Sequence, residues 1–201
     1  QPIVDHGAIY HMSLVHWSTS SFLQAVLVAL LITPLALAFR FLAKQASRKR
    51  RKDWTILWAL PLAFMVLAGI VTFYPIFMGN GQVLAQAVLS GQPFSNLALI
   101  LVVKGLLVYI LLSNGAYGGT LTPSFALGIG SGYLVTMILS AVGLHLDPAL
   151  GMLLGATVFL GTTLQAPMTA IALSLGFTGQ SWALILPLAL SAGVSYVIQN
   201  R

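Results

Sequence analysis

The chain has 201 residues, 58% of them apolar and only 6% charged, with a mean hydropathy of +0.96 and a net charge of +6. Soluble domains carry roughly 25% charged residues, so this composition excludes that class and points to a bilayer, where a helical span needs about 20 apolar residues. The absence of cysteine excludes both a disulfide framework and a thiolate metal site.

In chain order, residues 1–18 are mixed in polarity and read as interfacial. Ser18, Thr19 and Ser20 are candidate caps for a first long helix over about 22–44, which Pro34 should kink. Seven of the nine Lys and Arg then fall between Arg40 and Lys52. No aromatic residue is interleaved with the RKRRK run, which argues against nucleic acid. A short basic loop over 44–52 between apolar spans marks the cytoplasmic side instead. Asp53 is the expected N-cap of a second span at about 54–73, with Trp54 and Trp58 as interface anchors.

Pro75 and the tripeptide Gly79-Asn80-Gly81 form a break. The segment 82–89 that follows is too short to cross a membrane. After a second break at 90–93, a span is expected over about 94–112, then SNGAYGGTLTP at 113–123, then a helix over about 123–142. Asp147-Pro148 supplies an N-cap and a first-turn proline for a helix to about residue 163. Pro167 starts a short helix interrupted by Gly176 and Gly179, and a last apolar segment covers about 182–198 with Pro187 inside. The fold class is all-α: a multi-span membrane bundle with broken and re-entrant helices.

The stretch 113–123 carries the most information. A glycine-rich break opening into a buried helix leaves backbone N–H groups without intrahelical partners. In a bilayer these must face protein, water or an anion, and the helix dipole favours the anion. Close helix packing through small residues is the competing account of the glycines. It explains single glycines well, but it does not require a break at GGTLTP.

Other chemistry is poorly supported. The only acids, Asp5, Asp53 and Asp147, sit near segment ends. His6, His11 and His16 recur every five residues, not at the i, i+4 spacing of a helical metal pair. GIGSG at 128–132 lacks the strand context of a dinucleotide fingerprint, and Ile129 breaks the GxSG pattern of an intramembrane serine protease. His145 lies in a loop, poorly placed as a base. Catalytic and metal residues are therefore expected to be none. Lys104 is the one charge well inside an apolar span, which makes it a functional hypothesis by default. Snorkelling to the surface is its bland alternative, and a structural or field-setting role its expected one.

SNGAYGGTLTPSFALG closely resembles the SGxPGGxFxPxLxxG signature of the ClC family of chloride channels and chloride–proton antiporters. GTTLQAPMTAIALSLGFTG at 161–179 resembles that family's xxRAPLTxIxLxxEMT segment, and WALILPLALSAGVSYVI resembles its next helix. GNGQVLAQAVLSGQ at 79–92 resembles its GGGxxLIxxxxxG segment, and Lys104 matches a basic position before the signature. Order and spacing agree over about residues 20–199.

The resemblance implies one inverted-repeat half of a ClC-type fold, a partial membrane domain over 1–201 that lacks the final helix. It implies anion contacts at Gly118, Gly119, Thr120, Leu121, Thr122 and Pro123, with the amides of Thr120 and Leu121 as donors. It also implies chloride or a similar anion as ligand, no cofactor, a homodimer in the complete protein, and the inner cell membrane as location. Leu121 replaces the family's Phe, Tyr117 a Pro, Gln165 an Arg and Gly176 a Glu. The first-half motifs GSGIP and GREGP and the late tyrosine do not occur, and the chain opens on Gln1 rather than Met. The expectation is therefore a fragment or processed product that needs its N-terminal half, in cis or in trans. Transmembrane anion transport, as part of a channel or antiporter rather than an enzyme, is the leading reading. A non-conducting degenerate relative, or half of another secondary transporter, is the alternative.

Overall fold

The computed structural model describes residues 9–15, 20–49, 53–92, 94 and 96–200. The expected caps Ser18 and Thr19, together with Asp5, His6, His16 and residues 50–52 of the basic loop, lie outside them. Eight α-helices are described: α1 (Ser20–Arg48), α2 (Ile56–Phe73), α3 (Gln82–Leu89), α4 (Leu97–Ser113), α5 (Leu121–Ala141), α6 (Pro148–Leu164), α7 (Pro167–Thr178) and α8 (Ile185–Gln199). Single 3-10 turns precede α3 and α8, at Pro75–Phe77 and Trp182–Leu184.

α5 and α6 form the centre, and glycine decides how they meet. They run antiparallel, with Gly128 against Gly155 and Ala156, and Gly132 against Gly151 and Gly155. A methyl group on Gly128 would lie 2.6 Å from the Ala156 Cα and 2.7 Å from the Gly155 carbonyl oxygen. Backbone therefore packs on backbone, the arrangement that lets helices associate without a hydrophobic drive. GIGSG is a packing face.

α1 lies along α6, with Phe39 and Phe159 ring centroids 5.5 Å apart. The helix runs through Pro34 without a break and extends to Arg48, four residues past its expected end. The basic segment is thus partly helix, and the connection to α2 is shorter than the sequence suggests. Asp53 is not the N-cap of α2. Thr55 holds that position without a side-chain bond, while the Asp53 carbonyl accepts from the Ile56 N–H at 2.9 Å. Asp147 caps α6 as expected, its carboxylate accepting from the Ala149 N–H at 2.9 Å. α2 is apolar throughout yet buries no residue. A helix of that composition has to meet lipid or another apolar surface.

An extended strap over 9–15 crosses the body and is held by two glutamines. The Gln86 amide pairs with both backbone groups of His11, accepting at 3.1 Å and donating at 3.2 Å. Gln180 accepts from the Val15 N–H at 2.9 Å and donates to the Ser13 carbonyl at 3.0 Å. Tyr10 is buried between them, against Phe125 and Phe177.

Candidate functional site

α4 ends at Ser113, and the chain turns at buried Gly115, whose φ of +110° is open to glycine and strained for other residues. Residues 116–119 form no regular element, and α5 begins at Leu121, two residues before the expected start. Thr120 is the N-cap with φ −83° and ψ 0°, and its hydroxyl makes no capping bond. Ser124 closes the first turn onto the Thr120 carbonyl through its N–H at 2.9 Å and its hydroxyl at 2.6 Å. Pro123 stands third in the helix and has no N–H.

Among the described residues, the N–H groups of Gly118 to Thr122 have no acceptor. Gly118 and Gly119 are exposed, Thr120 to Thr122 half-buried and Pro123 buried. Nothing lies within 4 Å of a methyl placed on Gly118. Open donors at the positive end of a 21-residue helix are what an anion requires. All six expected residues fall in this one stretch, but the helix boundary divides them. Gly118 and Gly119 lie before it, and Leu121 to Pro123 form the first turn.

Asp53 and Asp147 are the acids among the described residues. Asp53 sits in the α1–α2 connection, and Asp147 caps the start of α6, at the far end of the antiparallel α5–α6 pair from Leu121.

Lys104 is only 2% exposed, so it does not snorkel. Its ammonium donates to the carbonyls of Phe77 at 2.9 Å and Gly79 at 2.7 Å. These belong to the break before α3, and the same break touches α5. A methyl on Gly81, where φ is +102°, would meet the Ala126 Cβ at 2.8 Å, the Lys104 Cε at 3.6 Å and the Pro123 Cα at 3.8 Å. A buried cation on α4 therefore holds the break before α3, and that break packs through Gly81 on the first turn of α5. Sequence spacing alone sets Lys104 about three turns from the glycine motif. The partners that bring it near are backbone carbonyls and carry no motif.

Among the described residues, four helical segments are long and apolar enough to cross a membrane, namely Ser20–Arg48, Ile56–Phe73, Leu121–Ala141 and Trp182–Gln199. Shorter apolar helices and two backbone breaks pack between them. Together these features define an all-α integral membrane protein of the broken-helix type. The model of the voltage gated chloride channel family matches residues 1–200, and the chain belongs to that family. A crystal structure of a CLC-type fluoride/proton antiporter has a similar fold, with TM-score 0.72 and 22% sequence identity. The match covers 94% of this chain and 47% of that one, so the chain spans about half the length of this relative. The fold is accordingly one inverted-repeat half of the ClC type. No curated protein sequence matches the chain.

Proposed function

We propose that this chain is one half of a transmembrane anion transporter or channel, and that it holds the anion through backbone amides at the broken start of α5. The observation that carries this reading is the set of N–H groups at Gly118–Thr122, unpaired at the head of a helix whose body is buried. Thr120 and Leu121 are the principal donors, Gly118 and Gly119 leave room for approach, and Pro123 shapes the turn. Helix-end amides can replace part of an ion's hydration shell while leaving it free to move on. Chloride is the expected ion. The structural relative is a fluoride/proton antiporter, which makes fluoride the second ion to try.

The other half of the site comes from a second, inverted half, in cis or in trans. The complete protein forms a homodimer in the inner cell membrane, with the basic segment 44–52 in the cytoplasm. Neither an enzyme activity nor a cofactor is part of this reading. Gly176 keeps a second reading alive, that of a non-conducting relative. A methyl there would meet nothing within 4 Å, so packing does not demand glycine at the position where the family carries Glu.

The test is anion efflux from liposomes. This polypeptide alone should stay at the leak of empty vesicles, and the same polypeptide joined to its N-terminal half should give anion-selective flux. Selective efflux from the half alone, or none from the joined protein, contradicts the proposal.

A further inference from the structure

A second polar feature lies away from the start of α5. A cavity of about 310 Å³ opens between α1, α6, α7 and α8. None of residues 118–123 lines it, and neither does any carboxylate. Its polar lining includes Arg40, Thr162, Gln165, Ser195, Gln199 and Asn200.

Three observations single it out. First, Arg40 is half-buried on a membrane helix and makes no ion pair or hydrogen bond among the described residues. A guanidinium is never neutral, and inside a bilayer it needs a partner. Second, Gln165 has φ +57°, the only positive φ at a described residue other than glycine. The strained corner between α6 and α7 places Gln165 in the cavity lining, and such strain clusters at ligand sites. Third, the hydroxyls of Thr162 and Ser195, both buried, share one hydrogen bond of 2.9 Å, with the Gln199 amide nitrogen 3.3 Å and 3.1 Å from them. One hydroxyl proton is consumed there, and the other is free to turn into the cavity.

We propose that this cavity is a second anion site, that it takes a phosphate group, and that Arg40 is its charged anchor. A planar guanidinium fork matches two phosphate oxygens at once. The volume also suits this ligand. At ~30 Å³ per water it has room for about ten waters, far more than a bare halide fills but enough for a tetrahedral oxyanion and part of its hydration. Arg40 is eight residues before Arg48, about 12 Å along the helix at 1.5 Å per residue, which places it within the bundle toward its basic end. The phosphate group belongs either to a phospholipid headgroup or to phosphate free in solution.

The experiment uses the complete protein that contains this chain, purified in neutral detergent, and reads binding rather than transport. In one arm inorganic phosphate is titrated by calorimetry. In the other, retention of phosphatidylglycerol is read by native mass spectrometry after mixing with equal phosphatidylglycerol and phosphatidylcholine. The proposal expects binding in at least one arm. A response to inorganic phosphate assigns the free anion, and retention of phosphatidylglycerol alone assigns the lipid. Arg40→Gln should weaken the responding arm roughly tenfold or more, the effect of one charge-assisted contact, and Arg40→Lys should restore part of it. Thr120→Pro, at the start of α5, should leave that arm unchanged. If Arg40→Gln does not fold, Asn200→Ala at the exposed rim should weaken the same arm a few-fold. No response from the wild type in either arm overturns the proposal, and so does an Arg40→Gln or Asn200→Ala protein that binds like the wild type.

Discussion

The ammonium of Lys104 lies 2.7 Å from the carbonyl oxygen of Gly79, across 25 residues of chain, and this contact ties the backbone break before α3 to the middle of α4. A break frees carbonyls as well as N–H groups, and inside a bilayer both must be met. Lys104 meets the carbonyls before α3. The donors before α5 remain open.

Replacing Lys104 with Met should therefore destabilise the protein by unsealing that turn. The buried Phe77 carbonyl loses its partner, which costs about 1–3 kcal/mol, and the partly buried Gly79 carbonyl adds less. Lys104→Gln keeps a donor and should recover part of the loss. Thermal unfolding of the complete protein in detergent checks the order wild type, then Gln, then Met. A Met variant as stable as the wild type would show that the clamp is dispensable.

Glycines in the core and at the periphery should answer an alanine in opposite directions. At Gly132 the methyl would press on the Gly151 carbonyl group, its carbon 2.9 Å away, and on the Gly155 Cα at 3.1 Å. Overpacking of this kind costs roughly 1–3 kcal/mol, and more where backbone cannot yield. At Gly176, inside α7 with nothing within 4 Å, alanine should stabilise by about 0.5–1 kcal/mol through helix propensity. Paired melting curves for Gly132→Ala and Gly176→Ala decide the matter, and equal effects would refute the packing account.

Much of this is legible in the sequence. The bounds of the short helix 82–89 follow from Gly81 and the SGQP break, and the Asp147-Pro148 start follows from cap chemistry. Other positions mislead for identifiable reasons. Asp53 looks like a cap, yet Thr55 already has helical φ and ψ, so the chain enters α2 through a turn that uses the Asp53 carbonyl and not its carboxylate. Pro123 looks like a first residue, but the φ of Thr120 suits a helix entry and moves the start forward. The strap over 9–15 leaves no signal, because Gln86 and Gln180 bind its backbone rather than any side chain. The open donors are expected from the GGTLTP break. The packing of Gly81 on the same turn is not, since it joins segments about 40 residues apart.

Orientation has its own test. Ser47 is exposed near the end of α1, beside the basic residues Lys44, Arg48 and Lys49. A cysteine at this position, in a chain that has none, should react with an impermeant thiol reagent only after the membrane is opened. Labelling from outside intact cells would reverse the assigned topology.

Backbone, not side chain, is the proposed holder of the anion at the start of α5. Thr120 separates the two. Its hydroxyl makes no capping bond, so Thr120→Ala should bind halide like the wild type. Its φ of −83° lies close to what proline adopts, so Thr120→Pro should fold while losing one N–H. Isothermal titration of chloride and fluoride into the complete protein is the direct measurement. Affinity should be unchanged in the alanine variant and weakened about tenfold in the proline variant, as for one hydrogen bond to a charged ligand. A folded Thr120→Pro protein with wild-type halide affinity would contradict that assignment.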